Sequence, residues 1–145
     1  EPASDLERLA AAALAEADMD ASLAAEAAGL AREIMDSEIW RRAQAGERRL
    51  VEVPFQVLHQ VTQRDGCALP TILRGVIDLV FREKDGWVLV DYKTDRLDGK
   101  TPAEAAREHA AQVELYAQAW ESCTGEAVKQ ACIYFTSAGA LVDIR

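Results

Sequence analysis

The chain has 145 residues, of which 50% are hydrophobic and 28% charged, and its formal net charge at pH 7 is −9. The length fits a single folded domain, and the sequence has neither the long apolar run of a membrane span nor the marks of a secretory signal. The acidic balance disfavours a broad basic nucleic-acid-binding face, but it allows a local site that contacts phosphates through metal ions.

The first third of the sequence predicts helices. Ser4 and Glu7 fit a capping box, and the alanine-rich residues 6–17 follow it. A second helix is predicted at about residues 21–35, and a short third one ends near Gly46. We expect residues 1–49 to form a helical extension that packs on the core.

The hydrophobic pattern then changes to that of strands. Residues 50–57 alternate between apolar and polar side chains, and Pro54 predicts an edge strand or a bulge because it cannot donate to a ladder. Residues 63–70 predict a polar loop. Two further strands are predicted at 72–81 and 87–93, with a hairpin turn between them at 83–86.

The last part of the chain has the strongest helix-start pattern. Thr101, Pro102 and Glu104 predict an N-cap, a first helical residue and a capping box. The helix should run to about Cys123 and stop at Gly125, and two more strands follow at 130–136 and 141–144. The order of helices, three strands, helix and two strands predicts an α/β fold with a mixed sheet flanked by helices.

The cysteines predict no metal site. Cys67, Cys123 and Cys132 are odd in number and contain no C-x2-C pair, whereas zinc and iron–sulfur sites need about four soft ligands. We expect buried or half-exposed free thiols and a reducing, cytoplasmic compartment. Because the chain begins at Glu1 and not at Met, we also expect a processed chain or a fragment of a larger protein.

Two acidic residues lie inside apolar strand segments. Asp78 interrupts one segment and Asp91 ends the next, although aspartate is depleted in strands and costly to bury unpaired. Lys93 follows Asp91 by two residues, so both side chains project from one face. A plainer interpretation places the two carboxylates at solvated strand ends, or paired with Arg74, Lys93 or Arg96.

The hairpin register sharpens this hypothesis. If residues 83–86 form the turn, Arg82 faces Trp87 and Asp78 lies opposite Asp91, with Cβ atoms about 4.5–5.5 Å apart. Two carboxylates at that distance repel unless a cation lies between them, and clustered oxygen ligands suit Mg²⁺ or Mn²⁺. Lys93 beside them could polarise an attacking water or stabilise charge that develops on a phosphate.

Three more residues join the hypothesis. Glu52, on the preceding predicted strand, could reach the same cation, although alone it reads as an exposed strand residue. Gln112 and Tyr116 lie four apart on one face of the last helix. Tyr116 alone reads as a core residue, whereas the amide of Gln112 could orient a phosphate, a water molecule or Lys93.

Together these residues resemble the nuclease domain of RecB-type and AddA-type helicase–nucleases, in the PD-(D/E)xK superfamily. The resemblance covers about residues 50–136, with the helical first third as a weaker extension, and implies a restriction-endonuclease-like mixed sheet with its nuclease core at 50–145. The matching segments are Glu-Val-Pro-Phe at 52–55, Gly-Val-Ile-Asp-Leu-Val at 75–80, Val-Asp-Tyr-Lys-Thr-Asp at 90–95 and Gln-Val-Glu-Leu-Tyr at 112–116.

The resemblance implies metal-dependent hydrolysis of DNA phosphodiester bonds. It implies that Mg²⁺ or Mn²⁺ is bound by Asp78, Asp91 and the backbone carbonyl of Tyr92, with Lys93 as the catalytic lysine. It also implies that Glu52 supports the metal site or a water, and that Gln112 and Tyr116 line the site. Members with an iron–sulfur cluster carry four cysteines around the core, so none is expected here.

The resemblance also implies a biological setting. Such domains act as exonucleases on single-stranded DNA ends that a helicase delivers, during double-strand-break repair and recombination. The implied partners are DNA, a helicase domain of the same parent chain and a second subunit, with no membrane. The sequence has no G-x4-G-K-[ST] phosphate loop, so any ATPase motor is expected outside these residues.

One departure from the family keeps other hypotheses open. The family has a metal-binding histidine on an upstream helix, whereas the histidines here are His59 and His109. A fragment without that helix would be weakly active or inactive. The alternatives are therefore a catalytically inactive nuclease-fold module that binds DNA or a partner subunit, and a free-standing small nuclease.

Overall fold

A computed structural model describes residues 4–62 and 68–145, with the backbone alone at positions 59, 61, 62 and 68. The chain divides into two compact units, one ending at Arg41 and the other running from Arg42 to Arg145. The packing of a helical extension on a nuclease core, with a boundary at residue 49, stays a prediction.

The first unit is helical, as predicted. Helix α1 spans Asp5–Glu16, a 3₁₀ turn spans Ala21–Leu23 and helix α2 spans Ala24–Asp36. The predicted capping box begins α1: the N–H of Glu7 donates to Ser4 Oγ at 3.3 Å, and the N–H of Ser4 donates to the Glu7 carboxylate at 2.9 Å. Helix α3, Glu38–Ala45, leads from this unit into the second.

The second unit is built on a five-stranded mixed sheet with the order β1-β2-β3-β4-β5. Strands β3 and β4 are parallel, and the other neighbours are antiparallel. Helix α4, Pro102–Thr124, connects the two parallel strands, as such a connection requires. The predicted α/β fold class is confirmed. The strands are β1 Arg48–Thr62, β2 Ala68–Glu83, β3 Gly86–Lys93, β4 Val128–Phe135 and β5 Ala140–Asp143.

Strands β1 and β2 are longer than predicted. Strand β1 is an edge strand, as Pro54 predicted. The prediction of a loop at 63–70 was wrong at 68–70, which pair with 60–62 of β1, and positions 63–67 lie outside the described residues. Before Leu79, β2 pairs with β1 alone. This two-stranded ribbon tolerates a proline such as Pro70 because its ladder has open edges.

Helix α4 is fixed at both ends by the predicted residues. Thr101 Oγ1 accepts from the N–H of Glu104 at 3.3 Å, and the Glu104 carboxylate accepts from the N–H of Thr101 at 2.8 Å. Gly125 ends the helix in the left-handed region, at φ 72°. The buried face of α4, which includes Val113 and Trp120, packs in the core cluster formed with the sheet. Its capped start therefore sets where the next turns of the helix meet β3.

The β1–β2 ribbon is kinked at one place. Leu50 and Val53 pack against the same core cluster, and so do their partners Val80 and Ile77. Strand residues three apart point to opposite faces unless the strand is distorted between them. The ladder skips the position of Glu52, whose φ of 51° lies in the left-handed region. The distortion therefore lies where two of the predicted site residues, Glu52 and Asp78, face each other.

The two described cysteines are free thiols in different environments. Cys132 is buried, and burial raises the pKa of its thiol to about 12, whereas Cys123 is exposed. Cys67 lies outside the described residues. In the described part of the chain, no helix combines the length and the apolar character needed to cross a bilayer.

Candidate active site

The predicted hairpin register brings the two aspartates together. Arg82 pairs with Trp87 as predicted, and the β2–β3 ladder continues to Leu79 and Val90. It stops one pair short of Asp78 and Asp91, so these two are not the ladder pair that the register implied. The reason is a side-chain contact: the N–H of Tyr92 donates to Asp78 Oδ2 at 2.7 Å. The carboxylate of Asp78 is thereby fixed beside the end of β3.

The site holds more negative than positive charge. Asp91 is only 5% exposed, and Lys93 Nζ lies 2.7 Å from its Oδ2. Burial raises the pKa of Asp78 above its ordinary value, and the negative charges of Asp91 and Glu52 add to this, while the Tyr92 N–H and Lys93 oppose it. Three carboxylates thus share one neighbouring lysine, and this excess would be relieved by a cation.

Hydrogen bonds hold both the side chain and the backbone of Lys93. Its Nζ donates to Gln112 Oε1 at 3.1 Å, and Gln112 Nε2 donates to the Tyr116 hydroxyl at 2.8 Å. Its backbone carbonyl accepts from the N–H of Thr136 at 2.9 Å and from Thr136 Oγ1 at 3.3 Å. Sequence reasoning missed Thr136, because nothing in its pattern distinguishes it from an ordinary strand end. The lysine is therefore positioned by Gln112 of α4 and by Thr136, which directly follows β4.

Tyr116 is held by an aromatic contact across a glycine. Its ring meets that of Phe55 edge-on, with 5.4 Å between the centroids. A Cβ at Gly75 would lie 2.9 Å from Phe55 and 3.4 Å from Tyr116, so only glycine leaves room for this contact. An isolated glycine inside a strand pattern is the signal that could have revealed it. Burial also raises the pKa of Tyr116 above its ordinary value.

Comparison with known proteins places this chain in a family. A family model described as the PD-(D/E)XK nuclease superfamily matches residues 1–142. The chain belongs to the PD-(D/E)XK nuclease superfamily. The mixed sheet flanked by helices is consistent with this membership.

Several relatives of this superfamily member are named as ATP-dependent helicase/nuclease subunits of the AddA type. One from Carboxydothermus hydrogenoformans is 48% identical over 64 residues, which is 44% of this chain and 6% of that protein. One from Bacillus cereus (strain G9842) is 35% identical over 121 residues, 75% of this chain and 10% of that protein. One from Pelotomaculum thermopropionicum is 36% identical over 104 residues, 68% of this chain and 8% of that protein. The chain thus spans about a tenth or less of the length of these relatives.

The structure brings five of the predicted site residues into one connected set. Asp91, Lys93, Gln112 and Tyr116 are linked by an ion pair and hydrogen bonds, and Asp78 joins them through its charge and its bond from the Tyr92 N–H. Glu52 is exposed and acts on Asp78 through its charge. Tyr92 is paired with Tyr134 of β4, and its carbonyl stays a predicted ligand. The plainer interpretation also holds in one respect, because Asp91 does pair with Lys93.

The donor atoms suit a hard divalent cation. Among residues 4–62 and 68–145, no three histidine, cysteine or acidic side chains meet in a ready-made metal cluster. The oxygen donors of Asp78 and Asp91 are of the kind that Mg²⁺ and Mn²⁺ prefer, and the local excess of negative charge favours a cation there. The carboxylates therefore fit such an ion in chemistry and charge, with the remaining ligands left to the backbone, water or substrate.

Proposed function

We propose that this chain is a metal-dependent DNA nuclease domain that uses Mg²⁺ or Mn²⁺ to hydrolyse phosphodiester bonds at DNA ends. The observation that carries the proposal is the position of Lys93. It lies 2.7 Å from the buried Asp91 and is fixed by Gln112, beside the half-buried Asp78. A structural ion pair alone would not need the additional contact from Gln112, and the chain belongs to a nuclease superfamily.

Each residue has a distinct task in this proposal. Asp78 and Asp91, with the Tyr92 carbonyl and Glu52, would hold the cation, which when bound supplies Lewis-acid activation of phosphate and water. Lys93 orients the attacking water or stabilises charge that develops on the phosphate oxygens. Gln112 and Tyr116 keep its ammonium group at that place. Preorganised charge of this kind typically contributes about 10²–10³ in rate.

The wider role rests on the named relatives. Their names join a helicase and a nuclease, and this chain matches a short part of them. We therefore propose a cytoplasmic exonuclease domain that acts on single-stranded ends in double-strand-break repair and recombination. Its partners would be DNA, a helicase domain of the same parent chain and a second subunit.

A digestion experiment tests the proposal. Labelled single-stranded DNA is incubated with the wild type, Asp91→Ala and Asp85→Ala in Mg²⁺, in Mn²⁺ and in EDTA. Asp85 is a matched control, because it is exposed in the turn at the other end of the same hairpin. We expect cutting only with metal, an about 100-fold or larger loss in Asp91→Ala and little change in Asp85→Ala.

The second candidate is an inactive module that binds DNA or a partner subunit. Within the described residues no three histidine, cysteine or acidic side chains are arranged to hold a metal ion, and this favours the inactive module. Cutting in the wild type that Asp91→Ala leaves unchanged would refute the proposed site. If neither this chain nor a version extended upstream cuts DNA, while the wild type still binds it, the inactive module is the better account.

A further inference from the structure

Two cavities flank the hydrogen-bonded set of Lys93, Gln112 and Tyr116. The first, which we call the arm groove, has a volume of about 440 Å³ and lies on the β1–β2 ribbon. It is lined by Pro54, Phe55, Gln56, Arg74, Gly75 and Val76. The second, the helix-start cavity, has a volume of about 310 Å³ and lies between the loop after β3 and the first turns of α4.

Both cavities adjoin the proposed site. The arm groove begins two residues beyond Glu52 and Asp78, and its residue Phe55 contacts Tyr116. The helix-start cavity is lined by Phe135, the strand partner of Lys93, and by His109, one turn before Gln112 on α4. A nucleic-acid strand bound at the site could therefore continue into either cavity.

Charge distinguishes the two cavities. Asp95, Asp98 and Glu108 line the helix-start cavity, against Arg96 and Lys100. Lys100 is already paired with Glu108, so a phosphate there would meet uncompensated carboxylates. Among the described residues that line the arm groove none is acidic, and Arg74 alone is charged. A phosphate is therefore repelled at the helix-start cavity and attracted at the arm groove.

Arg74 is available to bind a ligand. It is exposed and, like Arg96 of the helix-start cavity, makes no ion pair within the described part of the chain, whereas Lys93 and Lys100 do. It lies four residues before Asp78 on the same strand. The groove beside it offers apolar surface, since Val76 is 43% exposed and Pro54 is also exposed.

We propose that the arm groove binds the nucleotide next to the bond that is cut. Arg74 pairs with its backbone phosphate, and its base lies against Pro54, Phe55 and Val76, with Gln56 available to hydrogen-bond its edge. Apolar contact with bases and one arginine on the backbone are the usual elements of single-strand binding. The inference rests on the proposed function, because it takes the nuclease substrate as its ligand. It adds the direction in which the strand leaves the site, along the ribbon and away from α4.

The test measures binding without cutting. A fluorescently labelled oligothymidylate is titrated with the wild type, Arg74→Gln and Arg96→Gln in EDTA, at several salt concentrations, and anisotropy gives the affinity. The two variants lose the same charge and differ in the cavity concerned. We expect Arg74→Gln to bind about fivefold or more weakly at low salt, and its slope of log affinity against log salt to fall by about 0.7. Arg96→Gln should stay within about twofold of the wild type.

The outcomes separate this inference from the proposed function. Equal effects of the two variants, a larger effect of Arg96→Gln, or no binding by the wild type at low salt would overturn the inference. Equal effects together with metal-dependent cutting that Asp91→Ala abolishes would overturn the inference alone. Melting temperatures of both variants close to that of the wild type show that a loss of binding does not reflect unfolding.

Discussion

At the scale of single residues, Lys93 shows how a flexible side chain becomes a fixed charge. A free lysine loses much rotamer entropy when it is held in one geometry. Here Asp91 and Gln112 hold the ammonium group, and Thr136 holds the backbone carbonyl. The lysine side chain is only 17% exposed and Asp91 is buried, so water screens this ion pair little, whereas the hydrogen bond to Gln112 is exposed. The geometry is set before any substrate arrives, which is what transition-state stabilisation requires.

Gln112 is expected to act as a positioning residue. Replacing it with leucine removes the acceptor of Lys93 and the donor to Tyr116. We expect kcat to fall about tenfold while KM changes less than about twofold, because the ground-state contacts of the substrate remain. Steady-state digestion kinetics measure both constants. Gln118→Leu is the matched control, since Gln118 is exposed on the same helix and contacts Glu114. A similar loss in both variants would contradict the positioning role.

Sequence reasoning identifies charged residues better than the residues that hold them. Asp78 and Asp91 stand out because they interrupt apolar strands, and Lys93 follows from its spacing. Thr136 gives no signal, since a threonine at a strand end is ordinary. The left-handed backbone of Glu52 gives none either, because a glutamate in an alternating strand predicts an extended conformation.

At the scale of elements, local chemistry explains which boundaries are predictable. The start and end of α4 follow from Thr101, Pro102, Glu104 and Gly125, each of which satisfies a free backbone group or removes one. The far half of the β1–β2 ribbon is not predictable in this way. Gln60 and Pro70 there are typical of a loop, and the two strands are stabilised by pairing with each other.

The N-cap of α4 is expected to contribute measurably to stability. Thr101→Ala removes the side-chain acceptor of the Glu104 N–H and should lower the free energy of unfolding by about 1 kcal/mol. Thr101→Ser keeps the hydroxyl and should change it by a few tenths of that amount. Urea unfolding followed by circular dichroism measures both. If the alanine and serine variants are equally stable, the hydroxyl is not an effective cap.

At the scale of the whole second unit, the hairpin carries different polar sets at its two ends. The candidate site lies at one end, and an ion-pair network at the turn lies at the other. Arg42 donates to both oxygens of Glu83 at 3.0 and 3.1 Å, and Lys129 lies 2.5 Å from the same carboxylate. Arg42 also lies over the Phe81 ring and donates to Gln130 at 2.8 Å. This network joins Arg42 to the turn of the hairpin and to β4, at the end of the hairpin away from Asp78 and Asp91.

Glu83 should make stability depend on pH. Its hydrogen bonds from Arg42 lower the pKa of the carboxyl from 4.5 to about 2. A lowered folded-state pKa means that the stabilisation is full above pH 4.5 and is lost as the pH falls towards 2. We expect Glu83→Gln to be less stable by about 1–2 kcal/mol at neutral pH, with the difference shrinking near pH 2. Urea midpoints at several pH values measure this, and a difference that is constant with pH would contradict it.

The kink at Glu52 has a consequence for how this sequence can drift over generations. A left-handed backbone costs about 1–2 kcal/mol for most residues and almost nothing for glycine. Selection for a stable fold alone therefore favours glycine at this position, whereas selection for a carboxylate beside Asp78 opposes it. A lineage that lost the chemistry and kept the fold would be free to replace Glu52 by glycine and gain stability. On the proposed function, the charge that Glu52 places beside Asp78 is what opposes its replacement by glycine.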